Sequence, residues 1–477
     1  MKKNSNSIVK LIRNKASAVT ALRAGMLIAV GALIAIPLAF MNHDPNAVSE
    51  IDNRKLASTE SLDEYFSDRI GFRSEVIKAY SVLNDSLFHE MTHPLYEYGK
   101  EGHVFFRFSD EPLDATYIES FADYVLAMQE YCEERNIPFL YVISPEKSRV
   151  YSEYIPDSVS EPAHSTDLLI PMLEERDVNY LDQGIALAEA KNAGIQVFNT
   201  TYDAGHWNTE GMYAGSCAII DRIQEMGFAV DDPDLSQYEK RYEEQTTLPS
   251  SNYPIHETTY RYLMHEDDEH FAQFDKDFND GIIVDETFST AWHYTSKQDN
   301  NYSLLMFQGS YFNTQGGVLQ HHFSEHSVIH DYENVFNFPY YIDLYQPDIV
   351  IFENADYTVS SSYYSPESLE NTELPPVFTS WDDFQRKETA QAMEFTYDPS
   401  KDIASSYVSW DNAESTIDFS YVLANGVLYD CSKQDDGAYL WGATTDALEC
   451  AENIEVYGVD VENETVYLNN AVIRKTN

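Results

Sequence analysis

The segment YDAGHWNTEGMYAG, residues 202–215, sets Asp203 three residues before His206. A carboxylate at that distance can hold an imidazole in one tautomer, and an imidazole held in that way can take a proton from a hydroxyl. The hydroxyl has to come from elsewhere in the chain. Ser310 is the candidate: it follows Gly309 at the end of the apolar run NYSLLMFQ, residues 301–308. Asn354, at the polar tip of DIVIF, is the candidate amide donor for an oxyanion. Together these residues provide a nucleophile, a base, an orienting acid and a donor, the set that acyl transfer through a serine ester requires.

These residues need a scaffold that gathers strand tips. Amphipathic helices such as TYIESFADYVLAMQEYCEERN alternate with apolar strand-like runs such as IPFLYVIS, IQVFNTT, YSLLMF and DIVIF, which predicts α/β architecture with a parallel sheet covered on both faces. Ligands of open α/β sheets bind outside the carboxyl ends of the strands, where Asp203, His206, Ser310 and Asn354 are expected. The α/β domain is expected over 61–369, with an acidic, Tyr- and His-rich surface insertion around 230–300. From 370 to 477 the helical pattern gives way to short alternating runs between turns such as Asn425-Gly426 and Asp436-Gly437, predicting a small all-β module. Its aromatics Tyr407, Trp410, Tyr421, Tyr439 and Trp441 could stack on sugar faces or fill a sandwich core.

The D-x-x-H spacing of Asp203 and His206 resembles the last sequence block of the SGNH hydrolases, and Gly309-Ser310 is similar to their nucleophile block. Here the Asp/His loop precedes the serine, the reverse of the usual order. That order, with the successive blocks IDNRKLAS, FSDRIGFR, YGKEGHVFF, VISPEKSRVYSEYIP, DAGHWNTEGMYAG, FQGSYF and PDIVIFENADY, resembles the AlgX/AlgJ-type (DHHW-like) polysaccharide O-acetyltransferases. The Asp203–His206 interval is one residue longer than the D-x-H-W of that family, so the place of Asp203 follows the wider superfamily. The resemblance implies an SGNH-like three-layer sandwich in which Ser310 is the nucleophile, His206 the base and Asp203 its orienter. It also implies an extracytoplasmic acyl-serine enzyme that O-acetylates cell-surface polysaccharide, with a membrane-embedded acyltransferase exporting the acetyl group. An esterase of the same fold, or a glycan-binding or assembly protein without turnover, is the alternative. Neither a cofactor nor a metal is expected.

Composition narrows the partners. A net charge of −50, from 80 acidic and 30 basic residues, excludes a phosphate-backbone binder, since nucleic acid requires clustered Lys and Arg. The basic residues that lead the chain, Lys2 to Arg23, precede an uncharged apolar run over 24–41. Its length suits a membrane span, and the charge asymmetry predicts a cytoplasmic tail over 1–23, a signal anchor and an extracytoplasmic remainder that begins with a polar stalk over 42–60. A cleaved signal peptide is the alternative. Cys431 and Cys450 are spaced for one disulfide, whereas Cys132 and Cys217 fall in helical segments.

Other short motifs compete with the serine set. Ser144-Pro-Glu-Lys147 fits S-x-x-K and Ser250-Ser-Asn252 fits S-x-N, but no K-T-G or K-S-G strand follows them. His265 and His270 are five residues apart, the wrong interval for two ligands on one helical face. His322 and His326 have the four-residue interval, but no helical pattern surrounds them.

Overall fold

A computed structural model of the chain describes residues 2–44, 62–88, 90–93, 95–108, 112–159, 162–249, 253–313, 317–410, 416–449, 451 and 453–476. Most of the expected stalk, the Ser250–Asn252 motif and Cys450 lie outside these residues. The chain divides into two compact units, residues 1–98 with 244–257, and residues 99–243 with 258–477.

The smaller unit begins with one helix, Lys2–Ala39, whose portion Thr20–Ala39 has a mean hydropathy of 2.0 and is long and apolar enough to cross a membrane. That fits a single-pass anchor or a signal sequence. The helical pattern after residue 61 resolves into two helices, Leu62–Arg69 and Arg73–Phe88. The break lies at Phe72, which takes a left-handed φ of 59°, next to Gly71, where a Cβ would sit 2.5 Å from the Phe40 carbonyl oxygen.

The larger unit is built on a mixed seven-stranded sheet. Its strands are β1 (Phe139–Ser144), β2 (Tyr180–Asp182), β3 (Gln273–Phe274), β4 (Ala291–Thr295), β5 (Ser303–Gln308), β6 (Glu325–His330) and β7 (Ile349–Ala355), in the order β2-β1-β7-β5-β6-β4-β3. Pairing is parallel from β2 through β6 and antiparallel for β4 and β3. Two expectations change here. The insertion is not wholly a surface excursion, because β3 and β4 extend the sheet at its edge, an antiparallel continuation that a short return can make without a crossover helix. And IQVFNTT is not a strand. Its carbonyl and amide groups bond to partners outside the sheet: Val197 N–H to the Tyr151 hydroxyl, Val197 O to Asn208 N–H, and Thr200 O to Val104 N–H.

Alternation along the strands explains why both faces are buried. Phe139, Tyr141, Ile143, Leu305, Phe307, Val350 and Phe352 pack with helices Ala115–Glu134, Thr166–Glu175 and Phe338–Tyr345. Leu140, Val142, Leu304, Met306, Ile349 and Ile351 face the other way, against helices Gln183–Asn192 and Thr209–Glu225. Doubly covered strands of this kind read as continuous apolar runs.

Beyond residue 384 the chain forms a sheet of strands Gln385–Glu388, Thr465–Lys475, Asn453–Asp460, Phe419–Ala424 and Val427–Asp430, and a smaller one of Ile403–Val408, Tyr439–Thr444 and Ser432–Lys433. They share one apolar core that contains Tyr439 and Trp441 and packs Trp410 against it. Tyr421 is also fully buried, so of the five aromatics considered for sugar stacking only Tyr407 is exposed. Cys132, Cys217 and Cys431 are free thiols.

Candidate active site

The register of the parallel strands aligns their carboxyl ends. Ala355 lies opposite Ser144, and Glu353 lies opposite Gln308. The tips of β1, β5 and β7 therefore share one edge, the position where α/β folds gather ligand-binding groups.

Ser310 opens a single 3-10 turn, Ser310–Phe312, directly after β5 and Gly309. Asp203 and His206 lie in the loop that leads into helix Thr209–Glu225, where Asn208 caps the first turn by accepting from the Glu210 and Gly211 amides. Asp203 takes a left-handed φ of 51°, which Asp tolerates better than most residues. That kink turns its carboxylate back on its own loop. Asp203 Oδ1 lies 2.7 Å from His206 Nδ1, and His206 Nε2 lies 2.8 Å from Ser310 Oγ. The structure thus brings these three predicted residues into one hydrogen-bonded line. The His206 and Asp203 side chains keep 24% and 15% of their surface exposed, enough for a substrate to reach them.

Asn354 is not brought to this line. Strand alternation directs it away from Glu353, and its Oδ1 accepts from the Tyr141 hydroxyl at 2.6 Å while its Nδ2 donates to Thr358 Oγ1 at 3.1 Å. The amide braces the β7 tip on the face opposite the side chain of Glu353, which is the one that meets Gly309, so its expected oxyanion role is withdrawn. The phenol nearest the serine in its effect is that of Tyr357, on which Ser310 acts as a neighbouring polar group. Burial pushes that phenol well above its ordinary range, which keeps it protonated and able to donate. Tyr357 lies in the quoted block PDIVIFENADY, but only a turn after β7 brings it back to the serine, and periodicity carries no signal for that.

Three contacts fix the loop that carries the acid and base. Lys147, 2% exposed, donates from Nζ to the carbonyl oxygens of Val104, Asn199 and Thr200 at 2.8, 2.7 and 2.8 Å. The lysine of the S-x-x-K motif is therefore a loop clamp, and Ser144 bonds instead to Gln183 and Glu353. A Cβ on Gly205 would lie 2.3 Å from the tip of the Phe106 ring, so glycine here lets that ring close over the loop. Trp207, fully buried, donates from its indole nitrogen to the Tyr311 carbonyl at 3.1 Å. Of the histidines weighed as ligands, His270 Nδ1 bonds Asp268 and His322 Nδ1 donates to the Val318 carbonyl.

No family model matches the chain and no curated protein matches it. Among solved structures, it is similar to Bacillus cereus PatB1 at 14% identity and a TM-score of 0.42, over 55% of this chain and 96% of that one. A DHHW family protein from Eubacterium siraeum is 17% identical with a TM-score of 0.43, over 60% of this chain and 98% of that one. The O-acetyltransferase domain of Pseudomonas putida AlgJ is 16% identical with a TM-score of 0.41, over 59% and 99%. The solved structures similar to this chain thus include AlgJ and a DHHW family protein, the group its sequence blocks resemble.

Proposed function

We propose that this chain is a membrane-anchored serine O-acyltransferase with an SGNH-like three-layer fold that acetylates hydroxyls of a cell-surface polysaccharide. The observation that carries the reading is the line from Asp203 Oδ1 through His206 to Ser310 Oγ, at 2.7 and 2.8 Å. The sequence resemblance supplies the substrate class.

Each atom of that line has a step. Ser310 Oγ attacks the acyl carbonyl carbon and its proton passes to His206 Nε2. Asp203 accepts from Nδ1–H, holding the tautomer and stabilising the imidazolium. The Tyr357 hydroxyl is the donor proposed for the tetrahedral oxygen as its charge develops. Collapse breaks the bond to the leaving oxygen, which takes the proton back from His206. In the second half, His206 removes a proton from a sugar hydroxyl, whose oxygen attacks the Ser310 ester, and Ser310 leaves with that proton. Water in the place of the sugar gives hydrolysis. The apolar N-terminal helix, with its cationic flank in the cytoplasm, would hold the site outside the membrane. An acetyl-exporting membrane protein is then the donor's source.

The test compares the full chain in detergent micelles with its Ser310→Ala variant, using a chromogenic acetyl ester and then an acetyl donor with cell-wall glycan fragments. We expect acetate release to drop by at least about 10³-fold in the variant, and acetylated glycan to form only with the native chain. Equal release by both removes Ser310 as nucleophile. Release without acetylated glycan leaves the esterase, and no release by either leaves a binding protein.

A further inference from the structure

Glu353 is a fully buried acid in the apolar strand β7, directly behind the nucleophile turn. Its Oε2 accepts from the Gly309 N–H at 3.0 Å, and its own backbone carbonyl takes the same N–H at 3.2 Å. Its Oε1 lies 2.5 Å from Ser144 Oγ, which is also 2.9 Å from Gln183 Oε1. The protons in this chain can be counted. Gln183 Nε2 lies 2.9 Å from the Gly215 carbonyl, which can only accept, so the amide cannot be reversed and Oε1 faces Ser144. A serine hydroxyl carries one proton, so it can serve only one of these two oxygens. If Ser144 donates to Glu353, Gln183 Oε1 is left facing a lone pair; only a proton on Glu353 lets both the 2.9 and the 2.5 Å contacts close as hydrogen bonds.

The surroundings agree. Burial pushes the Glu353 carboxyl up to about 8, opposed by the Ser144 contact, with Asp331 adding repulsion and the Gly309 N–H opposing it. Asp331, fully buried at the end of β6, accepts from the Tyr364 hydroxyl and has His330 beside it. The other titratable groups facing Glu353 are the phenols of Tyr141 and Tyr332, both raised by burial, and no cation is among the groups that shift it.

We infer that Glu353 is a positioning residue that works as a neutral acid, giving its proton to Ser144 and accepting from Gly309 N–H so that it fixes the turn bearing Ser310 without adding a charge of its own. The inference rests on the reading of Ser310 as nucleophile. A carboxylate one residue behind the serine would oppose the oxyanion that forms there. Loss of the Glu353 proton draws the Ser144 hydroxyl away from Gln183 and adds that charge, so turnover falls on the alkaline side.

The experiment uses the full chain in detergent with Glu353→Gln and Glu353→Leu. At neutral pH, Glu353→Leu should lose about ten-fold in kcat with little change in KM, and Glu353→Gln, whose amide donates to Ser144 and accepts from Gly309, should restore most of it. Native kcat/KM should fall by about ten-fold per pH unit above about 8, and that limb should be absent from Glu353→Gln. Infrared spectra of the native chain at neutral pH should show a protonated-carboxyl C=O band that Glu353→Gln lacks. An alkaline limb unchanged in Glu353→Gln, or no band assignable to Glu353, overturns the inference. The infrared result holds even where Glu353→Leu does not fold, and it separates this inference from the identity of the nucleophile: if Ser310→Ala proves fully active, the band still decides the protonation of Glu353.

Discussion

The Trp207 indole N–H donates to the carbonyl oxygen of Tyr311 at 3.1 Å, joining the residue after the base to the residue after the nucleophile. Its ring also meets Tyr311 and Phe312 edge-on, with centroids 5.0 and 5.2 Å away. His206 and Ser310 belong to segments about a hundred residues apart, and this buried bond fixes the distance between them. Trp207→Phe keeps most of the apolar contact and removes the donor, leaving a buried carbonyl unpaired at a cost of about 1–3 kcal/mol. We expect a lower unfolding midpoint and a kcat reduced about ten-fold with KM nearly unchanged. A variant with native kcat would show that the serine and histidine are held in register by other contacts.

Asp203 sits at φ 51°, a conformation that Asn adopts as readily as Asp. Asp203→Asn therefore leaves the loop unstrained and changes only the charge and the hydrogen-bonding sense at His206 Nδ1. The amide nitrogen can donate to Nδ1, which favours the tautomer with its proton on Nε2, facing Ser310 and unable to accept. We expect native thermal stability with kcat down by about 10³–10⁴-fold. Stability and activity falling together, with the loss of kcat below ten-fold, would make Asp203 a loop brace alone.

How much of this site could be read in advance follows from where each group lies in the chain. Asp203 and His206 were legible because three residues of sequence hold them, and Ser310 because an apolar strand ends just before it. Glu353 gives no such signal, because an acid inside IVIFENA reads as part of the strand's polar tip, and its partners Ser144 and Gly309 come from other strands. Asn354 was misplaced by one residue of alternation, which turns a side chain to the opposite face of the sheet. IQVFNTT has strand composition, yet Tyr151, Asn208 and Lys147 take its backbone groups, and none of these is near it in the alternating pattern. The edge strands β3 and β4 are short and polar enough that period-two alternation hardly registers. The double burial of β1, β5 and β7, in contrast, was carried by composition alone.

A second pH dependence belongs to stability. His326 on β6 is 4% exposed, and among the described residues neither of its ring nitrogens has a hydrogen-bond partner. Burial, with His293 and His321 nearby, pushes it down to about 3, and burial holds His293 and His321 at about 4. All three folded values lie below the unfolded value of about 6.5. As pH drops through 6.5 the unfolded chain takes protons that the folded chain refuses, so stability falls, by about 1.4 kcal/mol per pH unit for each histidine until its folded value is reached. His326→Leu is close in volume and cannot be protonated. Between about pH 7 and pH 5 it should lose about 2 kcal/mol less stability than the native chain in denaturant unfolding, and at pH 7 it should be at least as stable, because a buried unpaired polar ring is gone. Equal acid losses in the two proteins would mean that His326 is protonated or solvated in the folded state.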